Sequence, residues 1–308
     1  MISYYKSING RVVEIEKCEP GCWINCVAPE EDEVNYIIEE FHVEPDFLRA
    51  SLDEEETSHI DHEDGVTLIV VDTPVVEKLE NNFTYSTMPL SIMITDTNVI
   101  TLSLKENAVI NEFAEGVMRN VNTHFRTQFV FRIILRTMSK YLQYLNQINK
   151  IIGHAEREMR RSMKNKELIQ LLEIEKSLVY FSASLKANDK TLEKIMRGRY
   201  IKLYDEDQDL LEDVLIEVKQ AIDMSNIYIN ILSTTMDAFA SIISNNLNIV
   251  MKFLTSITLI ITIPTVISGI YGMNNPGIPF MDCWWFPFAL SGVLMAISAY
   301  ILKKKNML

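Results

Sequence analysis

Apolar residues recur along this chain with two successive periods, and polar residues on its last long helix keep a third. Up to residue 120 the apolar runs are short and rich in β-branched side chains. Runs at 12–15 and 23–27 within the first 27 residues predict strands separated by a Pro20-Gly21 turn. Residues 30–41 carry Val34, Ile37, Ile38 and Phe41 at helical spacing, so an amphipathic helix is expected there, and a second short helix over 46–52 after Pro45. An acidic run over 53–64, containing His59 and His62, is expected as a solvated loop. Further strands are predicted at 66–71, 83–88, 90–94 and 98–104, with Asp96-Thr97-Asn98 turning between the last two. Strands mixed with helices make 1–120 an α/β domain.

Beyond residue 120 the period lengthens. Segments 125–163 and 166–196 are helix-patterned and nearly free of Gly and Pro, which predicts a helical hairpin within 121–204 with its tip at Lys164-Asn165. Gly198 and the acids of 205–209 precede a last, long helix over about 205–271, roughly 100 Å at about 1.5 Å per residue. Its first part, 205–252, is a stalk in water. From 253 to 281 there is no Lys, Arg, Asp, Glu or His, and 253–271 is long enough to cross hydrocarbon. A second span returns over 288–302, with Trp284, Trp285 and Phe286 as an interfacial aromatic belt. The two-span region is thus 253–302, with a loop at 272–283 and a basic tail at 303–308.

Polar residues on the long helix keep a third period. Asp237, Ser241, Ser244, Asn248, Met251, Thr255, Thr258, Thr262, Thr265 and Gly269 follow one another at alternating steps of four and three, a heptad seam that is polar at every position but Met251 and Gly269. Such a seam either packs through small residues and interhelical hydrogen bonds or lines water and ions. Spacing does not choose between them. Pro264 inside the span removes the hydrogen bond to the Ile260 carbonyl and is expected to bend the helix.

Charge narrows the partners. The 308 residues carry a net charge of −13, which disfavours nucleic acid and favours cations. The loop 272–283 has no Lys or Arg, whereas Lys252 precedes the first span and Lys303, Lys304 and Lys305 follow the second. By the positive-inside rule both termini face the cytoplasm, and nothing at the start of the chain resembles a cleavable signal. Two spans cannot enclose a pore, so a water-lined seam requires several copies around an axis. Four cysteines, Cys18, Cys22, Cys26 and Cys283, make no disulfide framework, and a thiolate metal site in the first three lacks a clear fourth ligand. Neither a phosphate-binding Gly-rich loop nor a recognisable nucleophile and base occurs, so an enzyme is not expected.

Tyr271-Gly272-Met273-Asn274 at the outer end of the first of two C-terminal spans resembles the CorA family of magnesium transporters, in which Gly-Met-Asn is the defining motif. The likeness continues back along the helix: Asp213, Asp237, Asn248 and Leu254 fall where CorA proteins carry an interface aspartate, an inner-pore aspartate, a pore asparagine and a hydrophobic constriction. It implies a funnel-shaped homopentamer in the cell membrane, with Gly272, Met273 and Asn274 as selectivity filter. The seam residues and Leu254 would line the pore, and Asn274, Asp237 and Asp213 would meet the ion. Lys303, Lys304 and Lys305 would form a basic ring around the stalk. Mg²⁺ would be both transported and regulatory, with Co²⁺ and Ni²⁺ as second substrates.

Three departures matter. Thr262 stands where the best-known relatives narrow the pore with methionine, which leaves Met251 or Leu254 to form a hydrophobic ring. Arg49 and Ala50 stand where relatives carry regulatory acids, so Asp53, Glu54 or the trio Asp205, Asp207 and Asp209 would have to substitute. In the outer loop Phe280 replaces the usual glutamate, leaving Asp282 as its acid. The rival readings are a zinc transporter of the same superfamily and a non-conducting membrane-anchored sensor or scaffold. Met273 favours magnesium over zinc.

Overall fold

The computed structural model describes residues 1–79, 82–162, 165–273, 277–280, 283–305 and 307, and the side chains of these other than 78, 79, 82, 161, 162 and 165–167. The chain divides into two units, Met1–Thr234 and Thr235–Leu308.

The first unit is built on a seven-stranded sheet in the order β2-β1-β3-β7-β6-β5-β4. Its strands are β1 (Ile2–Ile8), β2 (Arg11–Ile15), β3 (Trp23–Val27), β4 (His59–Glu63), β5 (Val66–Leu79), β6 (Asn82–Ile94) and β7 (Val99–Ser103). Only the β3–β7 pair is parallel. Two of its hairpins close on two residues at positive φ, Asn9-Gly10 and Asp64-Gly65, the tight turn whose twist suits an antiparallel pair.

Alternation along the strands feeds two cores. Ile24, Cys26, Leu68, Val70, Met93, Ile100 and Leu102 meet Ile37 of α1 (Glu31–Phe41) and Phe47 and Leu48 of α2 (Pro45–Ser51) on one face. On the other, Trp23 packs edge-on against Phe129, which also meets Phe113. These rings belong to α4 (Arg126–Ser162) and α3 (Ala108–Ala114), and α4 with α5 (Asn165–Met196) covers β5 and β6. A strand in a sheet covered on both faces is buried at every position, as β7 is.

Two expectations are corrected, and one element was not foreseen. Residues 59–63 form an edge strand, not a loop. Segments 83–88 and 90–94 are one strand, β6, running through Pro89, and β5 likewise runs through Pro74. Both prolines lie where the β5–β6 hairpin has no further neighbour, since β4 stops pairing at Val70 and β7 at Leu90. A missing N–H costs no ladder bond there. The segment 108–114 is a helix, α3, capped by the Asn107 side chain, which accepts from the Val109 and Ile110 amides. The expected hairpin tip at Lys164 lies outside the described residues.

The last two helices are α6 (Asp205–Tyr271) and α7 (Phe286–Lys304). Within the first unit α6 buries Leu211, Val214, Val218, Ala221 and Ser225 at heptad spacing, and Ser225 donates to the Leu178 carbonyl of α5. The second unit is the rest of α6 plus α7, both long and apolar enough to cross a membrane.

Candidate ion-conducting helix

In the membrane segment of α6 the shielded residues are Ser256 and Ile267, with Ile260 and Ile263 half-buried between them. On α7 the shielded row is Ser291, Met295, Ser298 and Leu302. Both rows step by four, three and four, as knobs of two packed helices must. The Ser256 hydroxyl donates to the Met307 carbonyl at 2.8 Å, and Tyr271 meets Phe286 at the other end.

The polar seam is elsewhere. Asp237, Ser241, Ser244, Asn248, Met251, Leu254, Thr255, Thr258, Thr262, Thr265 and Gly269 are all exposed in the single chain. At 3.6 residues per turn the 251–269 seam lies roughly 150° around α6 from the row packed on α7. The second span therefore does not seal it.

Hydrogen bonding gives that seam a sign. Ser241 donates to the Asp237 carbonyl, Thr258 to Leu254 at 2.8 Å, Thr262 to Thr258 at 2.7 Å and Thr265 to Ile261 at 3.3 Å. Each hydroxyl proton is spent inside the helix, so each outward oxygen presents lone pairs. A row of acceptors suits a cation or the water around it.

At the C-terminal end of α6 Gly272 and Met273 are exposed, and their amides close the last turn onto Ser268 and Ile270. Asn274 and Asp282 lie outside the described residues. Sequence reasoning missed how the loop is tied. The Tyr271 hydroxyl donates to the Pro279 carbonyl at 3.1 Å, and Phe280 stacks on Phe286 at 4.7 Å. The aromatic residues at both ends of the loop were the available signal.

Of the other candidates, Asp213, Lys303, Lys304 and Lys305 are exposed. Asp207 is buried and accepts from the Tyr204 amide, so it caps α6. Asp53 accepts from the Glu55 amide and Glu54 pairs with Lys105. His59 bonds to Thr57 and His62 to Thr67 from opposite faces of β4. Among the described residues no three His, Cys, Asp or Glu side chains of one chain converge on a metal position.

The profile of the family described as CorA-like Mg²⁺ transporter protein matches residues 19–304. The chain belongs to that family. It is 26% identical over 292 residues to the cobalt/magnesium transport protein CorA of Methanocaldococcus jannaschii, covering 92% of this chain and 90% of the relative. It is 24% identical over 293 residues to the protein of the same name from Thermotoga maritima, covering 93% and 83%. The complete M. jannaschii CorA structure superposes with a TM-score of 0.82 at 24% identity, over 99% of this chain and 96% of that one. Full-length CmaX shares the fold at a TM-score of 0.73 and 12% identity, over 99% and 97%. A CorA-like chain with two apolar C-terminal helices is a membrane transporter and not an enzyme.

Proposed function

We propose that copies of this chain assemble, as a homopentamer, around the polar seam of α6 and admit Mg²⁺ passively, with Co²⁺ and Ni²⁺ as further substrates. The observation that carries the reading is the row of outward acceptor oxygens on the face of α6 turned away from α7. Gly272, Met273 and Asn274 form the outer selectivity filter, where a ring of Asn274 carboxamides receives an ion that keeps most of its water. Asn248 and Asp237 form rings further in, with Asp237 concentrating cations at the inner mouth. Both termini are cytoplasmic. Two charges moving down an inside-negative potential gain roughly 4.6 kcal/mol per 100 mV, so no other energy source is needed.

Closure at high internal Mg²⁺ is assigned to Asp213, which is exposed on α6. On the opposing side Arg49, at a position where the family resemblance implies an acid, pairs with Asp46 at 3.1 Å. Relatives named for cobalt and magnesium support the substrate class. The test is ion entry into proteoliposomes under an inside-negative potential. Mg²⁺ flux is expected, and Asn274→Ala is expected to lower it at least tenfold, about 1.4 kcal/mol in the barrier. Zn²⁺ flux exceeding Mg²⁺ flux would make the protein a zinc transporter; binding without flux of any ion would sink the channel.

A further inference from the structure

Transport makes no use of the cysteines at the start of the chain, yet the fold brings two of them together. The Cys18 and Cys22 sulfurs are 3.6 Å apart and share a hydrogen bond. Cys18 is partly exposed, whereas Cys22 is fully buried. Cys26 lies further along the buried face of β3, in the core with Ile24.

The turn between the two sulfurs is held from several sides. The Cys22 amide donates to the Glu19 carbonyl at 3.0 Å, with Pro20 second and Gly21 third at a φ of 79°. That is a type II turn, in which the third position requires positive φ. The Gly21 amide donates to Thr97, and a Cβ at Gly21 would come within 2.7 Å of the His124 ring. The Asn98 side-chain nitrogen donates to the Glu19 carbonyl at 2.9 Å and to both the Cys22 carbonyl and its sulfur at 3.1 Å. The two thiols thus face each other across a clamped turn, one open to solvent and the other not.

We propose that Cys18 and Cys22 are a redox-closing pair: a hydroperoxide or a small disulfide oxidises Cys18, and Cys22 closes on it to form an intrachain disulfide across the turn. With a hydroperoxide, the Cys18 thiolate attacks oxygen, the O–O bond breaks, and a sulfenic acid is left as water or an alcohol departs. The Cys22 sulfur then attacks the Cys18 sulfur. The S–S bond forms, the S–O bond breaks and water leaves. Two thiols lose two protons and two electrons, which the peroxide takes up. With a small disulfide, two successive exchanges release two small thiols. The chemistry is slow at neutral pH, because burial, and after it the hydrogen bond with Cys22, pushes the Cys18 thiol up to about 12.

The test uses the full-length protein, oxidised in its folded state with hydrogen peroxide, then unfolded in denaturant, blocked with an alkylating reagent and cleaved by trypsin after Lys17 and chymotrypsin after Trp23. This frees the peptide 18–23, which holds both sulfurs and no other cysteine. Before oxidation it takes up two alkyl groups. After oxidation it is expected to take up none, to be lighter by two hydrogens, and to recover both sites on reduction with dithiothreitol. The closure rate is expected to go on rising above about pH 8.5, where an unhindered thiol would level off. Cys18→Ser is expected to leave Cys22 open to alkylation after the same treatment. A peptide that still takes two alkyl groups, or one whose Cys22 is lost equally in the Cys18→Ser variant, or a bridge from either sulfur to Cys26 or Cys283, would overturn the pair.

Discussion

Asn188 shows what a single side chain decides. Its carboxamide accepts from the Asp72 amide and donates to the Asp72 carbonyl, both at 2.9 Å, just beyond the point where β4 stops pairing with β5. One amide side chain stands in for a strand, and Tyr141 adds a second donor to the same carbonyl. Asn188→Ala leaves the Asp72 N–H buried and unpaired, and is expected to destabilise the protein by about 1–3 kcal/mol, read as a lower denaturation midpoint at unchanged slope. Nothing in the sequence near Asp72 announces this partner, because the two residues are 116 positions apart. The threonines of α6 are the opposite case. Their spacing was legible because it repeats on one helix, and their sign as acceptors follows from a local bond to the carbonyl four residues back.

Elements declare themselves in proportion to their length and period. The helix predicted over 205–271 has those bounds, and the hairpin helices agree with α4 and α5 to within a few residues. The short edge strand β4 was hidden by its composition, His-Ile-Asp-His-Glu, in which only Ile60 is apolar. Its real signal was the Asp64-Gly65 pair before a β-branched run. Helix α3 is fixed partly by charge: Glu112 meets Arg136 and Lys140 of α4, each at 2.6 Å. Burial pulls the Glu112 carboxyl up, but hydrogen bonds from Arg136 and then Lys140 outweigh it and carry the group below its usual range. A carboxyl lowered on folding contributes stability that is complete above its unfolded value of about 4.3 and is lost as pH falls through the folded value. The stability difference between the native protein and Glu112→Gln is therefore expected to shrink as pH is lowered below about 4, in denaturant titrations across that range.

At the scale of the whole molecule two rows on one helix carry different duties. The row of Ser256, Ile260, Ile263 and Ile267 holds the chain's own second span, while the seam of Thr255, Thr258, Thr262 and Thr265 is exposed in the single chain. Burying that second row in lipid would waste its acceptors, whereas copies around an axis give it water. With Cys18 and Cys283 replaced by serine, a cysteine introduced at Thr258 is expected to react with a charged, water-soluble thiol reagent and block flux. One at Ile267 is expected to stay unreactive and leave flux unchanged. Equal reactivity at both positions would mean that the seam does not line the water path.

The sequence by itself determined the two apolar spans, the long helix that carries the first of them, the mixed α/β character of the first 120 residues and the motif that points to the family. All of these are local: they depend on period, length and residues adjacent in the chain. Tertiary structure decided which face of α6 its partner span covers, that Asn188 completes the edge of β5, and that Cys18 and Cys22 meet while Cys26 does not. Those are matters of where side chains end up after strands and helices have packed, and the one-dimensional order of residues contains no distance between them.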